Sequence, residues 1–342
     1  MNPKILFLSH NPHEAHLSFA KSVGAYVKIL RLDFIVKTLK KFPKLRDLYV
    51  LVSFFYSIFI KSDWDVIISE GGSSFYVSVF LKARNPRIKI VFLDIDLFFY
   101  TREKGEHPKE FISKTVSLFY GRFKTIRNAT KSIDAVLSVS EQNKEMASRH
   151  VNVPSEVTPP YPSGAKKWDI PRKNYGLYVG RLDEDKNIRR IVEFGIQCPY
   201  FEKFIILGDG TLRDYVESAA RLNRKIVYLG YRRDVARFYS ECRFLVHIPD
   251  WDPHPCTTME AALCGCFPVI SKGVGTKYLF DKHFITGNPD DFEDINNKIK
   301  YFLDNEGKMR RRLARISKKI PSKADSVNNF KSKFYDILKE IQ

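Results

Sequence analysis

At 342 residues the chain is too long for one ordinary core, so two domains are expected. Hydrophobic residues make up 44% and charged residues 28%, which excludes a disordered or fibrous chain and reads as soluble and globular. The net charge of +18 is spread over both halves, which excludes a basic nucleic-acid tail and suits either a partner carrying phosphates or a lysine-rich surface.

The opening stretch MNPKILFLSHNPHE has too short an apolar run for a signal peptide, so a cytoplasmic protein is expected. Four short apolar runs occupy the first half: KILFLS (4–9), VIISE (66–70), KIVFLDID (89–96) and AVLSVS (135–140). Each ends in small or polar residues, as parallel strands covered on both faces do. His10, His13 and His16 fall three apart after the first run. That spacing suits a metal face, or a loop and helix start beside a ligand, where His10 or Asn11 would touch an acceptor or a diphosphate. Five basic residues lie between 37 and 46, and 48–60 is almost wholly apolar. The apolar part is too short to span a bilayer. The segment 37–61 suits an anionic membrane surface, or a buried helix behind a basic loop. LDID places Asp94 and Asp96 in a D-x-D, a metal-binding signature that is also frequent by chance.

Residues 154–171 hold five of the seventeen prolines and no periodic pattern, which predicts an interdomain linker. The domains are then 1–158 and 172–323, with 324–342 an amphipathic closing helix that packs on either domain.

The second half alternates more cleanly. Strands over 175–181, 203–209, 226–230, 244–249 and 268–271 enclose helices over 187–197, 211–223, 233–242 and 256–264. These are the lengths of right-handed crossover units in a doubly wound sheet. Chemistry in such sheets sits just past the strand ends. The first strand ends in Gly180-Arg181, with Lys186 close behind. Arg181 can fork onto a phosphate and Lys186 can add a point charge, or both can pair with Asp183, Glu184 and Asp185. The second ends in Gly208-Asp209-Gly210, where glycines permit a tight turn close to a flat ligand and Asp209 or Thr211 would cap the helix. No G-x-G-x-x-G follows the first strand, which argues against a dinucleotide dehydrogenase. The fourth ends in DWDPHPCTTME (250–260). Pro255 suits a first helical turn, and the amides of Cys256, Thr257 and Thr258 would form an anion seat. Asp252 and Glu260 bracket that seat. An anion with a polyol on each side describes a nucleoside diphosphate sugar; the plainer reading leaves Asp252 as a turn residue and Glu260 exposed on a helix. The five cysteines, Cys198, Cys242, Cys256, Cys264 and Cys266, show no disulfide or zinc spacing. Even beside His247 and His254 they fit as small apolar residues.

Four stretches in order, YVGRLDEDKN, ILGDGTLRDYVE, VYLGYRRDVARFYSECRFLVHIP and DPHPCTTMEAALCGCFPVIS, resemble glycosyltransferase family 4, the retaining GT-B enzymes. The last resembles that family's E-x7-E motif. The first half matches only in outline. The resemblance implies an α/β GT-B fold of two Rossmann-like domains facing across a cleft. It implies transfer of a sugar from a nucleoside diphosphate sugar to a glycan or lipid-linked acceptor, without metal or other cofactor. By the same resemblance Arg181 and Lys186 bind the diphosphate, Glu260 the ribose and Asp252 the transferred sugar. Amides near Pro255–Thr257 meet sugar and phosphate, and Gly208–Gly210 lies near the nucleoside. Three departures stand out. Asp252 is one methylene shorter than the family's Glu, and His254-Pro255 replace its usual Phe-Gly. The family's first-domain His is missing, so Asp94, Asp96 or His107 would substitute. Three other readings stay open: a non-catalytic sugar-nucleotide-binding protein, a metal-dependent transferase using Asp94 and Asp96, and a GT-B epimerase.

Overall fold

The structure, a computed structural model, describes residues 3–30, 48–104 and 129–341. The basic stretch 37–47 and His107 lie outside the described residues. The chain divides into two compact units, one of residues 1–160 and 324–342, the other of residues 161–323.

Unit 1 contains β1 (Ile5–Ser9), α1 (Glu14–Ser22), β2 (Tyr26–Ile29), α2 (Leu48–Ile58), β3 (Val66–Glu70), α3 (Gly71–Arg84), β4 (Lys89–Asp94), α4 (Phe98–Glu103), β5 (Ala135–Ser138), α5 (Glu141–Ser148) and β6 (Ser155–Val157). The strands pair in parallel in the order β2-β1-β3-β4-β5-β6. β1 and β3 are buried at every position, which is why they read as unbroken apolar runs. β2 and β6 were not legible. Both are edge strands, β2 partly exposed and β6 three residues long inside the proline-rich stretch. The apolar segment 48–60 divides its faces. Phe54 meets Phe80 edge-on at 5.2 Å, while Phe55, Ile58 and Phe59 stay exposed, Phe59 at 86%. No described helix is long and apolar enough to cross a membrane.

Unit 2 contains β7 (Lys173–Val179), α6 (Ile188–Gln197), β8 (Lys203–Leu207), α7 (Arg213–Leu222), β9 (Ile226–Tyr228), α8 (Val235–Glu241), β10 (Cys242–His247), α9 (Cys256–Leu263), β11 (Phe267–Ser271), β12 (Ile285–Thr286), α10 (Phe292–Asp304) and α11 (Glu306–Ser317). Its strands are also parallel, in the order β12-β11-β10-β7-β8-β9. The order reverses between β7 and β10, and in unit 1 between β1 and β3. Such switch points open a crevice at the carboxyl ends of the strands. Phe204, Phe244 and Phe267 fill the core of unit 2, each contributing roughly 2–3 kcal/mol by burial. The cysteines are all free. Burial pushes the thiols of Cys198, Cys242, Cys264 and Cys266 up, as suits residues used for packing.

The proline-rich stretch is only partly a connection. The unit boundary falls after Pro160. Beyond it the Trp168 amide donates to Ser240 Oγ at 2.9 Å, and Arg172 donates to the carbonyls of Tyr239 and Cys242 at 3.1 and 2.9 Å. These bonds strap the stretch onto α8 and β10. The last helix, α12 (Lys323–Ile341), returns the chain to unit 1. Its apolar spacing arises because Phe330, Phe334, Ile337 and Leu338 join the core of β1, β3, β4 and β5. Phe330 stacks on Phe19 of α1 with centroids 4.5 Å apart.

Candidate functional site

β7 and β8 leave the sheet of unit 2 side by side, so close that only glycine fits. Gly208 has φ +143°, and a Cβ there would lie 1.8 Å from the Gly180 carbonyl oxygen. A Cβ on Gly210 would meet the Leu182 backbone at 2.6 Å. The two turns are laced together by Leu182 N–H to Asp209 O at 3.0 Å and Leu212 N–H to Leu182 O at 2.7 Å. The helix that follows differs from the sequence expectation. Leu212 occupies its N-cap position, so neither Asp209 nor Thr211 caps it. Thr211 instead donates through its amide and its hydroxyl, both at 3.0 Å, to Oδ1 of Asp183.

Asp183 in turn holds Arg181. The guanidinium donates through Nη1 to Asp183 Oδ2 and through Nη2 to Asp185 Oδ2 at 2.8 Å. The acids following Arg181 therefore do pair with it, except Glu184, which pairs with Arg189 at 3.2 Å. Lys186 Nζ donates to Asp252 Oδ2 at 2.8 Å. The β7 and β10 ends thus meet across the switch point. His247, the last residue of β10, contacts the same Asp252 oxygen through Nε2 at 2.9 Å. Burial opposes ionisation of Asp252, but the Lys186 ammonium and the His247 hydrogen bond hold its carboxyl well below the usual range. An ionised carboxylate only accepts, so His247 Nε2 carries the proton. The His247 ring lies on Tyr178 of β7, with centroids 6.1 Å apart, and the Tyr178 hydroxyl donates to the Arg181 carbonyl at 2.8 Å. The Asp252 backbone is pinned as well: its N–H donates to Gly273 O at 3.0 Å and its carbonyl accepts from Gly275 N–H at 2.8 Å.

Pro255 is the N-cap of α9 rather than its first helical residue. The Thr258 amide donates to the Pro255 carbonyl at 3.2 Å, so it closes the first turn instead of pointing outward. His254 is buried, its ring 6.3 Å from that of Tyr278. Cys256 Sγ lies 3.8 Å from the Tyr161 carbonyl. Glu260 is not an exposed helical residue. Its Oε1 accepts from the Gly164 amide at 3.1 Å and its Oε2 from the Tyr239 hydroxyl at 3.2 Å. Burial pushes its carboxyl up, with these bonds offsetting part of the effect.

The candidates from the first half sit in unit 1. His10 Nδ1 contacts Leu30 O at 2.9 Å, and Asn11 is exposed. His13 accepts from the Ala15 amide at 3.2 Å and caps α1. His16 is buried against Glu70. The evenly spaced histidines therefore serve three separate purposes. Asp96 accepts from the amides of Gly72 at 2.9 Å and Phe98 at 3.0 Å. Asp94 is buried, and its Oδ2 accepts from Asn143 at 3.2 Å and Ser138 at 3.5 Å. Burial, then the charge of Asp96, raises its carboxyl well above the usual range. Among the described residues no group of three or more His, Cys, Asp or Glu is arranged to hold a metal ion.

Two doubly wound parallel sheets, one with cations and carboxylates gathered at its switch point, define a GT-B fold. Residues 164–320 match the family described as Glycosyl transferases group 1. Over 98 residues it is 26% identical to the N-acetylgalactosamine-N,N'-diacetylbacillosaminyl-diphospho-undecaprenol 4-alpha-N-acetylgalactosaminyltransferase of Campylobacter jejuni. That match covers 28% of this chain and 27% of the relative, so the chain spans about a quarter of that protein's length. Among solved structures, HepE from Anabaena in complex with UDP-glucose aligns over 99% of this chain and 100% of its own, with TM-score 0.67 and 17% identity. Sucrose-phosphate synthase from Thermosynechococcus elongatus aligns over 99% and 89%, with TM-score 0.66 and 16% identity. At these identities the likeness concerns the fold.

Several residues of this site escaped the sequence reading. His247 gave a signal, a polar residue inside the apolar run FLVHIP. Gly164 and Tyr239 gave none, because they reach Glu260 across long separations in the chain.

Proposed function

We propose that the chain is a retaining glycosyltransferase that moves a sugar from a nucleoside diphosphate sugar to a glycan or lipid-linked acceptor, without a metal ion. The observation that carries this reading is the Lys186–Asp252 contact at the β7/β10 switch point, with Arg181 on one side and Glu260 on the next helix. It brings a cation and a carboxylate from two strand ends into hydrogen-bond contact. In this reading Arg181 and Lys186 neutralise the departing diphosphate, helped by the N-terminus of α9. Asp252 accepts from hydroxyls of the transferred sugar and Glu260 from those of the ribose. His254, Pro255, Cys256 and Thr257 wall the sugar and phosphate. Gly208, Asp209 and Gly210 leave room for the nucleoside. The anomeric C–O bond to the diphosphate breaks as the acceptor oxygen bonds to the same face. The departing diphosphate oxygen takes the acceptor proton. Two other proteins support this reading: HepE structures contain UDP and UDP-glucose, and the Campylobacter relative is named for a diphospho-undecaprenol substrate. The metal-dependent alternative finds less support, because Asp96 is occupied by two amides and burial raises the Asp94 carboxyl well above its usual range.

A thermal-shift screen of nucleotides and nucleotide sugars tests the donor site, since binding to the folded state raises stability by mass action. Arg181→Ala and Glu260→Ala should abolish the best shift. If both variants respond like the parent, the donor site is wrong. Release of nucleoside diphosphate without acceptor separates an enzyme from a binding protein. Retention is read from the anomeric configuration of the product, and metal independence from turnover in EDTA.

A further inference from the structure

Asp185 stands where a phosphate oxygen would be expected. Its Oδ2 lies 2.8 Å from Arg181 Nη2 and 3.7 Å from Lys186 Nζ, so one carboxylate oxygen bridges both cations. The first distance is that of a charge-assisted guanidinium–phosphate bond. The neighbouring acids differ in kind. Asp183 is buried, and both its oxygens are engaged, by Thr211 and by Arg181 Nη1. It fixes the guanidinium in place. Asp252 is buried beneath Lys186 and bonded to His247. Asp185 is more open, with 26% of its side chain exposed, and lies against an Arg181 side chain that is 52% exposed. Exposed pairs of this kind are weak and exchange readily. The local charge is also notable: Arg181 and Lys186 face Asp183, Asp185 and Asp252, so the cations are over-neutralised before any ligand arrives.

We infer that Asp185 is an internal counter-anion of the donor site, displaced by the diphosphate on binding and restored to Arg181 and Lys186 when the nucleoside diphosphate leaves. This inference rests on the donor-site reading above. Its consequence is a site tuned for release: every ligand that binds the two cations must first break the Asp185 contacts, and the freed carboxylate then repels it.

The test is equilibrium and stopped-flow binding of UDP, GDP and ADP to the full chain and to the Asp185→Asn variant. Asn keeps the shape and removes the charge. Its affinity for whichever nucleotide binds should rise by about fivefold or more, mostly through slower dissociation. Glu184→Gln removes an equal charge one residue away that touches neither cation. It should change affinity less than about twofold. Arg181→Ala should lose binding. If Asp185→Asn binds like the parent, or like Glu184→Gln, while Arg181→Ala loses binding, the counter-anion role is overturned and the donor site stands. If no diphosphate binds parent or variant, the donor-site reading falls and this inference with it.

Discussion

Asp252 joins a cation and an imidazole inside unit 2. One of its oxygens accepts from both Lys186 and His247. Asp252→Asn would leave a buried ammonium with only the more distant Asp185 carboxylate, so the folded state should lose about 3 kcal/mol near neutral pH. Because the folded-state carboxyl is depressed, its contribution is present above the ordinary value of 3.8 and fades as pH falls below it. Urea midpoints of parent and variant should therefore converge on acidification. Asp94 has the opposite sign. Its folded-state carboxyl is raised by burial, so stability is full below 3.8 and declines as pH rises until the buried group ionises. Asp94→Asn should gain on the parent between pH 4 and pH 8. An equal difference at both would mean that Asp94 is charged in the fold. At this scale the sequence was legible where chemistry repeats locally. Arg181, Lys186, Asp252 and Glu260 stand at strand ends and a helix start that alternation alone locates. Their partners were not legible, since Gly164 and Tyr239 approach Glu260 only through tertiary packing.

The elements were read best where burial is two-sided. β1, β3, β7, β8 and β10 all appear as apolar runs because both faces are covered. β2, β6 and β12 escaped because edge strands of two to four residues have too little pattern to register. The N-cap of α7 escaped for another reason: the expected cap Thr211 spends its hydroxyl on Asp183, well upstream, and the helix starts one residue later behind Leu212. The strand-end glycines were read as permissive, and the fold makes them obligatory. Gly208→Ala would force a Cβ into the Gly180 carbonyl in a backbone region that L-residues rarely adopt. The variant should be recovered unfolded, or with Tm lower by more than 10 °C, an amount on the order of 3 kcal/mol or more for a unit of this size. A stable Gly208→Ala protein would mean that the two turns are not in contact.

At the scale of the whole molecule, a group of exposed apolar side chains follows a basic stretch of the sequence. Phe55 and Ile58 of α2 and Phe59 just beyond it are exposed, and in the sequence they follow the basic residues of 37–46. We propose that this face meets anionic lipid, in keeping with a lipid-linked acceptor. The parent should co-sediment with vesicles containing phosphatidylglycerol, and Phe59→Ser should weaken that binding without changing nucleotide shifts. Equal sedimentation would remove the proposal. The closing helix gives a second test at this scale. Deleting residues 324–342 removes Phe330 and Phe334 from the core around Phe19. Tryptophan fluorescence and proteolysis of the truncated chain should report an unfolded unit 1 beside a protected residue range 161–323.

That closing helix also bears on the order in which the protein is made. Unit 2 is one continuous stretch, complete once residue 323 has left the ribosome, whereas unit 1 is interrupted and waits for the last helix. The half synthesised first is therefore the half that finishes folding last. While unit 2 is being translated, the α12-facing side of the first sheet has only part of its cover, from α1. A nascent chain with an uncovered apolar face is what chaperones hold. The dependence of yield on chaperones should accordingly fall on the N-terminal half rather than on residues 161–323.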